Sequence, residues 1–310
     1  MFKINYLTTF LLFCLGALSC QVFAFDVRPY CDDSGVWVQT LGGGGPELSD
    51  DQAAASYLIW EDGKARVLID PAPGSSVLFD KTEAKLEDLE LMLFTHLHAD
   101  HVGDFPAYAK GAYFSERTAP LRIFGPDGRG VYPDTVTFVE RLIGPQGAFA
   151  YLADFLTSTD NGFKLIPQNI AATGRRKWSG YSTPRIKLAA VPVHHGPVPA
   201  LAYRIELGGF KLVFTGDFNN QKNLVPELAK DVDALIIHHA IPETARGTAR
   251  ELHVVPSQIG RIASQANPRM LILGHRMNRT RGIESLSRAA IEAEYEGSLI
   301  FANDLECWGL

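Results

Sequence analysis

Residues 95–101 read Thr-His-Leu-His-Ala-Asp-His and bring four metal-capable side chains, His96, His98, Asp100 and His101, into six positions. Two histidines two apart, followed by an adjacent Asp-His pair, can hold two cations a few ångströms apart. Bound cations of that kind turn water into a nucleophile at neutral pH. The motif directly follows the apolar run 91–94, which predicts a buried strand. The chemistry is therefore expected where a strand ends.

The other histidines repeat this arrangement. The run 187–193 leads into His194-His195, 211–214 into Thr215-Gly216-Asp217, 234–237 into His238-His239, and 270–274 into His275. His253 precedes a segment, 256–265, with helical periodicity, and 283–294 is a second such segment. Ligands at the ends of several strands are how layered α/β folds build a site on one sheet edge. We therefore expect mixed sheets covered by helices. Further strands are expected at 36–41, 54–60 and 65–69, the last ended by Asp70-Pro71, and 85–89 is a short link. Gly42-Gly43-Gly44-Gly45-Pro46 permits a tight turn and close backbone approach. Residues 135–156, the first part of the segment 131–182, read as helical. The polar stretch 163–182, with Gly174-Arg175-Arg176-Lys177, reads as an insertion near the site mouth.

The chain has 310 residues, 46% hydrophobic and 21% charged, enough for a full core. Its net charge is −6. Proteins that grip many phosphates are usually basic, so nucleic acid is not the expected partner. Residues 1–24 combine Lys3, an apolar stretch over 7–18 and a Val22-Phe23-Ala24 cleavage site. This predicts a secretory signal peptide, too short to span a bilayer, and a periplasmic or secreted product starting at Phe25 with no stable membrane span. Lipoprotein processing at Cys20 is the alternative. In an exported protein the remaining cysteines, Cys31 and Cys307, invite a disulfide; two unrelated thiols is the other reading.

His96-x-His98-x-Asp100-His101, then His195, Asp217 and His275 in that order, resemble the metallo-β-lactamase superfamily. The resemblance covers about residues 33–305. Gly125-Pro126-Asp127-Gly128, the stretch Val191-Pro192-Val193-His194-His195-Gly196-Pro197, His253 ahead of a helix, and Leu271-Ile272-Leu273-Gly274-His275 with Arg279 are similar to the ribonuclease Z branch and its secreted arylsulfatase and phosphodiesterase relatives. This resemblance implies a four-layer αββα sandwich over residues 25–310, with the site at the edge of the two sheets. It implies two divalent ions, zinc first and manganese or iron as alternatives. His96, His98 and His195 would hold one ion and Asp100, His101 and His275 the other, with Asp217 bridging. A hydroxide between the ions would attack, and His253 would give a proton to the leaving group. His238 matches a family histidine, whereas His239 stands where the branch has Glu. Glu243 is a substitute orienter for His253. His194 is either packed or behind the ligands. Arg276 and Arg279 either meet an anionic substrate or are structural.

The expected activity is cleavage of a small anionic ester, a phosphodiester or an aryl sulfate. A ribonuclease Z-like endonuclease and a lactonase or β-lactamase-like hydrolase are the alternatives. A homodimer is expected by analogy alone.

Overall fold

The structure is a computed structural model that describes residues 31–157 and 163–310. The expected signal peptide and Cys20 lie outside the described residues. Among the described residues, no helix is long and apolar enough to cross a membrane.

Two seven-stranded sheets form the centre. The first runs, in spatial order, β14 (Cys307–Gly309), β1 (Val36–Gly42), β2 (Ser56–Glu61), β3 (Lys64–Ile69), β4 (Leu91–Leu93), β5 (Leu121–Pro126) and β6 (Leu165–Ile170). The second runs β13 (Ser298–Phe301), β12 (Met270–Gly274), β11 (Ala234–His238), β10 (Phe210–Phe214), β9 (Val198–Leu207), β8 (Ile186–His195) and β7 (Trp178–Ser182). Strands β3 to β6 are parallel, as are β10 to β13, and the remaining pairs are antiparallel. The carboxyl ends of each parallel set thus share one edge of their sheet. The two edges meet where Thr95 O accepts from Leu201 N at 2.9 Å and His96 bridges Ala200.

Side-chain alternation along the strands creates the layers. Leu91 and Leu93 face the inter-sheet core, whereas Met92 and Phe94 face the outside. Leu212, Phe214 and Ile272 point inward, and Val213, Leu271 and Leu273 outward. The helices are α1 (Ser75–Lys81), α2 (Ala99–Val102), α3 (Phe105–Gly111), α4 (Thr135–Ile143), α5 (Asp154–Thr157), α6 (Val225–Leu228), α7 (Thr248–Leu252), α8 (Pro256–Ala266) and α9 (Glu284–Glu292). Phe105 and Tyr108 of α3 and Val139 and Ile143 of α4 cover the first sheet. Ile259 and Ile262 of α8 and Ile291 of α9 cover the second. The result is the four-layer αββα metallo-β-lactamase fold.

The stretch 163–182 differs from its reading as an insertion. It supplies β6 and β7, the outermost strands of the two sheets. An edge strand has one unpaired side and tolerates polar residues, so the hydrophobic pattern is weak there. Helix α4 stops at Ile143 because Gly144-Pro145 follows. Cys31 and Cys307 form a disulfide with a Cα–Cα distance of 5.9 Å.

Candidate metal centre

Every ligand-type residue marked by the sequence except His194 and His239 arrives at the shared edge. His96 follows β4, and His98 precedes the single turn of α2 that carries Asp100 and His101. His195 ends β8, Asp217 follows β10, His238 ends β11 and His275 follows β12. Gly216, with φ 56°, makes the turn that presents Asp217, and a Cβ there would lie 2.6 Å from Thr95 Cβ. The glycine run performs its expected part: a Cβ on Gly45 would stand 3.2 Å from His275 Cε1.

Hydrogen bonds fix which ring nitrogens face inward. His195 Nδ1 donates to the Leu252 carbonyl at 2.9 Å, leaving Nε2 toward the site. Thr95 Oγ1 donates to Asp70 Oδ2 at 2.6 Å and so accepts from His96 Nδ1 at 3.2 Å. The free nitrogens then converge: His96 Nε2 is 3.1 Å from His98 Nδ1, and His195 Nε2 is 3.4 Å from the same atom. Lone pairs this close repel unless a cation lies between them. Tetrahedral zinc with bonds of about 2.1 Å separates its donors by roughly 3.4 Å, so the spacing fits an ion.

The second group surrounds Asp217. Its Oδ2 lies 3.7 Å from both His101 Nε2 and His195 Nε2, 3.6 Å from His275 Nε2 and 3.8 Å from His253 Nδ1. Asp100 Oδ2 is 3.3 Å from His275 Nε2 and 3.5 Å from His101 Nε2. His101 Nε2 and His253 Nδ1 are buried with no hydrogen-bond partner among the described residues. His101, Asp217, His238 and His275 present atoms within 4.8 Å of one another, as do His96, His98 and His195. The imidazole and carboxylate donor set fits two divalent ions.

Two residues emerge that sequence reading passed over or left open. Asp70, read only as a strand terminus, is buried with φ 53° and accepts from His101 Nδ1 at 2.8 Å, from Thr95 N at 2.7 Å and from Thr95 Oγ1. A carboxylate behind a ligand imidazole fixes its tautomer and raises its basicity. His238 Nδ1 donates to Asp217 Oδ1 at 2.7 Å. It thereby occupies one carboxylate oxygen and leaves Oδ2 to face both groups.

Electrostatics divide the cluster. Burial works against the Asp217 charge, but His275, His253, His101 and His238 outweigh it and hold the carboxyl well below its ordinary range. Burial pushes His96, His98 and His195 down, so they are neutral ligands near pH 7. His101 and His275 are raised instead: burial opposes this, but Asp70 and Asp217 win at His101, and Asp217 and Asp100 at His275.

Other candidates fall elsewhere. Glu243 does not orient His253; its carboxylate accepts from Ser257 N and Oγ, both at 2.8 Å, and caps α8. His239 is buried against Phe301, and both its ring nitrogens lack a hydrogen-bond partner among the described residues. His194 is half-buried beside the site and bonds no ligand side chain. Arg276 is buried and paired with Glu284 and Asn303. Arg279 is exposed, donates to the Ala240 carbonyl at 2.8 Å and lies within electrostatic reach of His253. An open groove of about 730 Å³ adjoins Asp100 and is walled by the loop from Gly45 to Gln52.

Two stacked mixed sheets with an imidazole and carboxylate centre on their common edge define a metal-dependent hydrolase. The chain belongs to the beta-lactamase superfamily, whose domain pattern matches residues 65–276, and within it the chain is similar to ribonuclease Z proteins. It is 26% identical over 285 residues to Ribonuclease Z of Mycobacterium bovis, covering 86% of this chain and 96% of that protein. The fold is similar to that of the metallo-beta-lactamase fold protein YhfI from Bacillus subtilis, with TM-score 0.68 and 18% identity, covering 88% of this chain and 98% of that one. It is also similar to the short form of human tRNase Z, with TM-score 0.66 and 18% identity, at 88% and 98% coverage. These relatives overturn the expectation that nucleic acid is an unsuitable partner. That expectation rested on a net charge summed over the whole chain, whereas a nucleic acid meets one face.

Proposed function

We propose that the protein is a two-metal phosphodiesterase of the ribonuclease Z kind that cuts RNA. In this reading His96, His98 and His195 would hold one ion and Asp100, His101 and His275 the other, with Asp217 within reach of both groups. The donor set favours zinc. Bound ions supply a nucleophile from water and offset charge on the phosphoryl oxygens.

The observation that carries the reading is His253. Beyond the ligand residues, its ring stands 3.8 Å from Asp217 Oδ2 with a buried, unpartnered nitrogen. A ribose leaving oxygen needs a proton as its bond to phosphorus breaks, whereas an aryl oxide leaves without one. Burial, opposed by Asp217, pushes His253 down to about 4 in the free protein. An anionic phosphodiester beside the ring favours the protonated form, so the proton arrives with the substrate. Arg279, at the mouth, adds positive charge facing the phosphate. Asp70 and His238 keep His101 and Asp217 in their working orientations.

We also propose that the protein works outside the cytoplasm, in an oxidising compartment; the Cys31–Cys307 bond supports this. Mass spectrometry of the natural product should find Phe25 first, and a finding of intact Met1 in the cytoplasm would reverse it.

The activity is tested by offering the zinc-loaded protein a labelled RNA, bis(p-nitrophenyl) phosphate, an aryl sulfate, a lactone and a cephalosporin. RNA cleavage abolished by a chelator is expected. Turnover of the aryl sulfate with RNA left intact would refute the reading.

A further inference from the structure

The sequence singled out Arg175-Arg176-Lys177, and nothing in the metal centre uses them. They occupy the loop after β6, exposed to solvent. Two other loops converge on that place. Ala172 N donates to Asp127 Oδ1 at 2.9 Å, which ties the loop after β6 to the one after β5 that carries exposed Arg129. Lys222 Nζ donates to the Ala172 carbonyl at 3.1 Å, which brings in the loop after β10. Arg129 and Arg175 lie within electrostatic reach of the Lys222 ammonium, and the Asp127 carboxylate acts on it in the opposite sense. Among the described residues, none of Arg129, Arg175, Arg176, Lys177 or Lys222 forms an ion pair. Cations gathered around one carboxylate, Asp127, still repel one another, and a further anion relieves that repulsion.

All three loops leave the edge that carries the metal centre. Strands β5 and β6 run parallel to β4, whose end leads to His96, and β10 leads through Asp217 to Lys222. Asn219 N donates to the His194 carbonyl at 3.0 Å, so the Lys222 loop runs beside the strand of His195. The opposite flank, at the groove beside Asp100, has the reverse character. Its loop from Gly45 to Gln52 carries exposed Asp51, half-buried Glu47 and buried Asp50 and no Lys or Arg of its own, with Arg281 donating to the Asp50 carbonyl.

We infer that Arg129, Arg175 and Lys222 form a phosphate track that receives the RNA strand on the His195 side of the metal centre, while the acidic loop turns the strand away from the Asp100 side. This rests on the RNA-cleaving reading for the identity of the strand, but the track itself is a statement about polyanion binding.

The test compares the zinc-loaded full chain with Arg129→Gln/Arg175→Gln/Lys222→Gln. Binding of a fluorescein-labelled single-stranded phosphorothioate RNA is followed by anisotropy across a salt series. Each phosphate contact on a single strand contributes about 0.7 to the slope of log affinity against log salt, so three lost contacts should flatten it by about 2. Across a fourfold salt change that difference amounts to roughly 20-fold. The ratio of kcat/KM on RNA to kcat/KM on bis(p-nitrophenyl) phosphate should fall at least about tenfold. An unchanged slope, or loss of both activities in equal proportion, would overturn the track. If the triple variant loses zinc or fails to fold, Lys222→Gln and Arg175→Gln alone should each flatten the slope by about 0.7, and no change in either would likewise overturn it. RNA that is bound with the expected slope but never cut refutes the ribonuclease reading and leaves the track standing. RNA that is cut equally steeply in salt by both proteins does the reverse.

Discussion

Replacing Asp70 by Asn keeps the side-chain shape and removes the charge behind His101. Asp70 Oδ1 accepts from Thr95 N at 2.7 Å, and Asn can keep that bond. Asp70 Oδ2 receives two donors, Thr95 Oγ1 at 2.6 Å and His101 Nδ1 at 2.8 Å. In the Asn variant an amide NH₂ faces both. The threonine hydroxyl can turn to accept, but His101 must move its proton to Nε2, the atom that faces Asp217 and Asp100. That tautomer cannot bind a cation there. Loss of such a supporting carboxylate typically costs ten- to a hundredfold in metal affinity, or about 1.4–2.7 kcal/mol. Asp70→Ala is a poorer probe. It orphans three buried donors at about 1–3 kcal/mol each, a total that rivals the stability of a whole domain. The assay is a zinc competition titration against a chromogenic chelator, with far-UV circular dichroism as the control for folding. We expect one of two zinc equivalents in Asp70→Asn to weaken ten- to a hundredfold while the other holds. Wild-type affinity for both would show that His101 is not a ligand held by Asp70.

Three further outcomes are expected. Asp217→Ala should lose at least one zinc equivalent and all hydrolysis; full metal content with activity retained would break the two-ion scheme. His253→Ala should keep both metals and lose about 10²–10⁴-fold on RNA but far less on bis(p-nitrophenyl) phosphate, and an equal loss on both substrates would remove its proton-donor role. Metal binding should release protons at pH 7. His101 and His275 are raised, so the metal-free protein holds protons there that a cation must displace, and affinity climbs as pH rises through those raised values. Calorimetry in buffers of different ionisation enthalpy reads the release directly.

The convergence of the candidate ligands was legible because their placement is local. His96-x-His98-x-Asp100-His101 needs only a strand end and one helical turn to converge, and each later ligand follows its own apolar run. The same runs made mixed sheets covered by helices legible, and the family resemblance implied their four layers. What escaped depends on contacts distant in sequence. Asp70 before Pro71 looks like any strand terminus, and only the fold places it under His101. His238 showed its residue type but not that it would hold Asp217 Oδ1. The edge strands β6 and β7 lack the apolar signal because each has one free side. Of the basic cluster only Arg175-Arg176-Lys177 stood out: Arg129 and Lys222 are separated from it in sequence, and a summed charge of −6 hides them.

The Cys31–Cys307 bond turns the described chain into a covalent ring, closed where β14 lies against β1. The two halves of the metal centre sit on opposite arcs of that ring, His96 to His101 on one and His195 to His275 on the other. A single proteolytic nick between the arcs therefore opens the ring without parting its halves. The nicked molecule would migrate as one piece until a reductant is added, and it could keep both ligand groups within reach of each other. In a protease-rich setting, such a topology gives the candidate metal centre a tolerance to cleavage that packing alone does not provide.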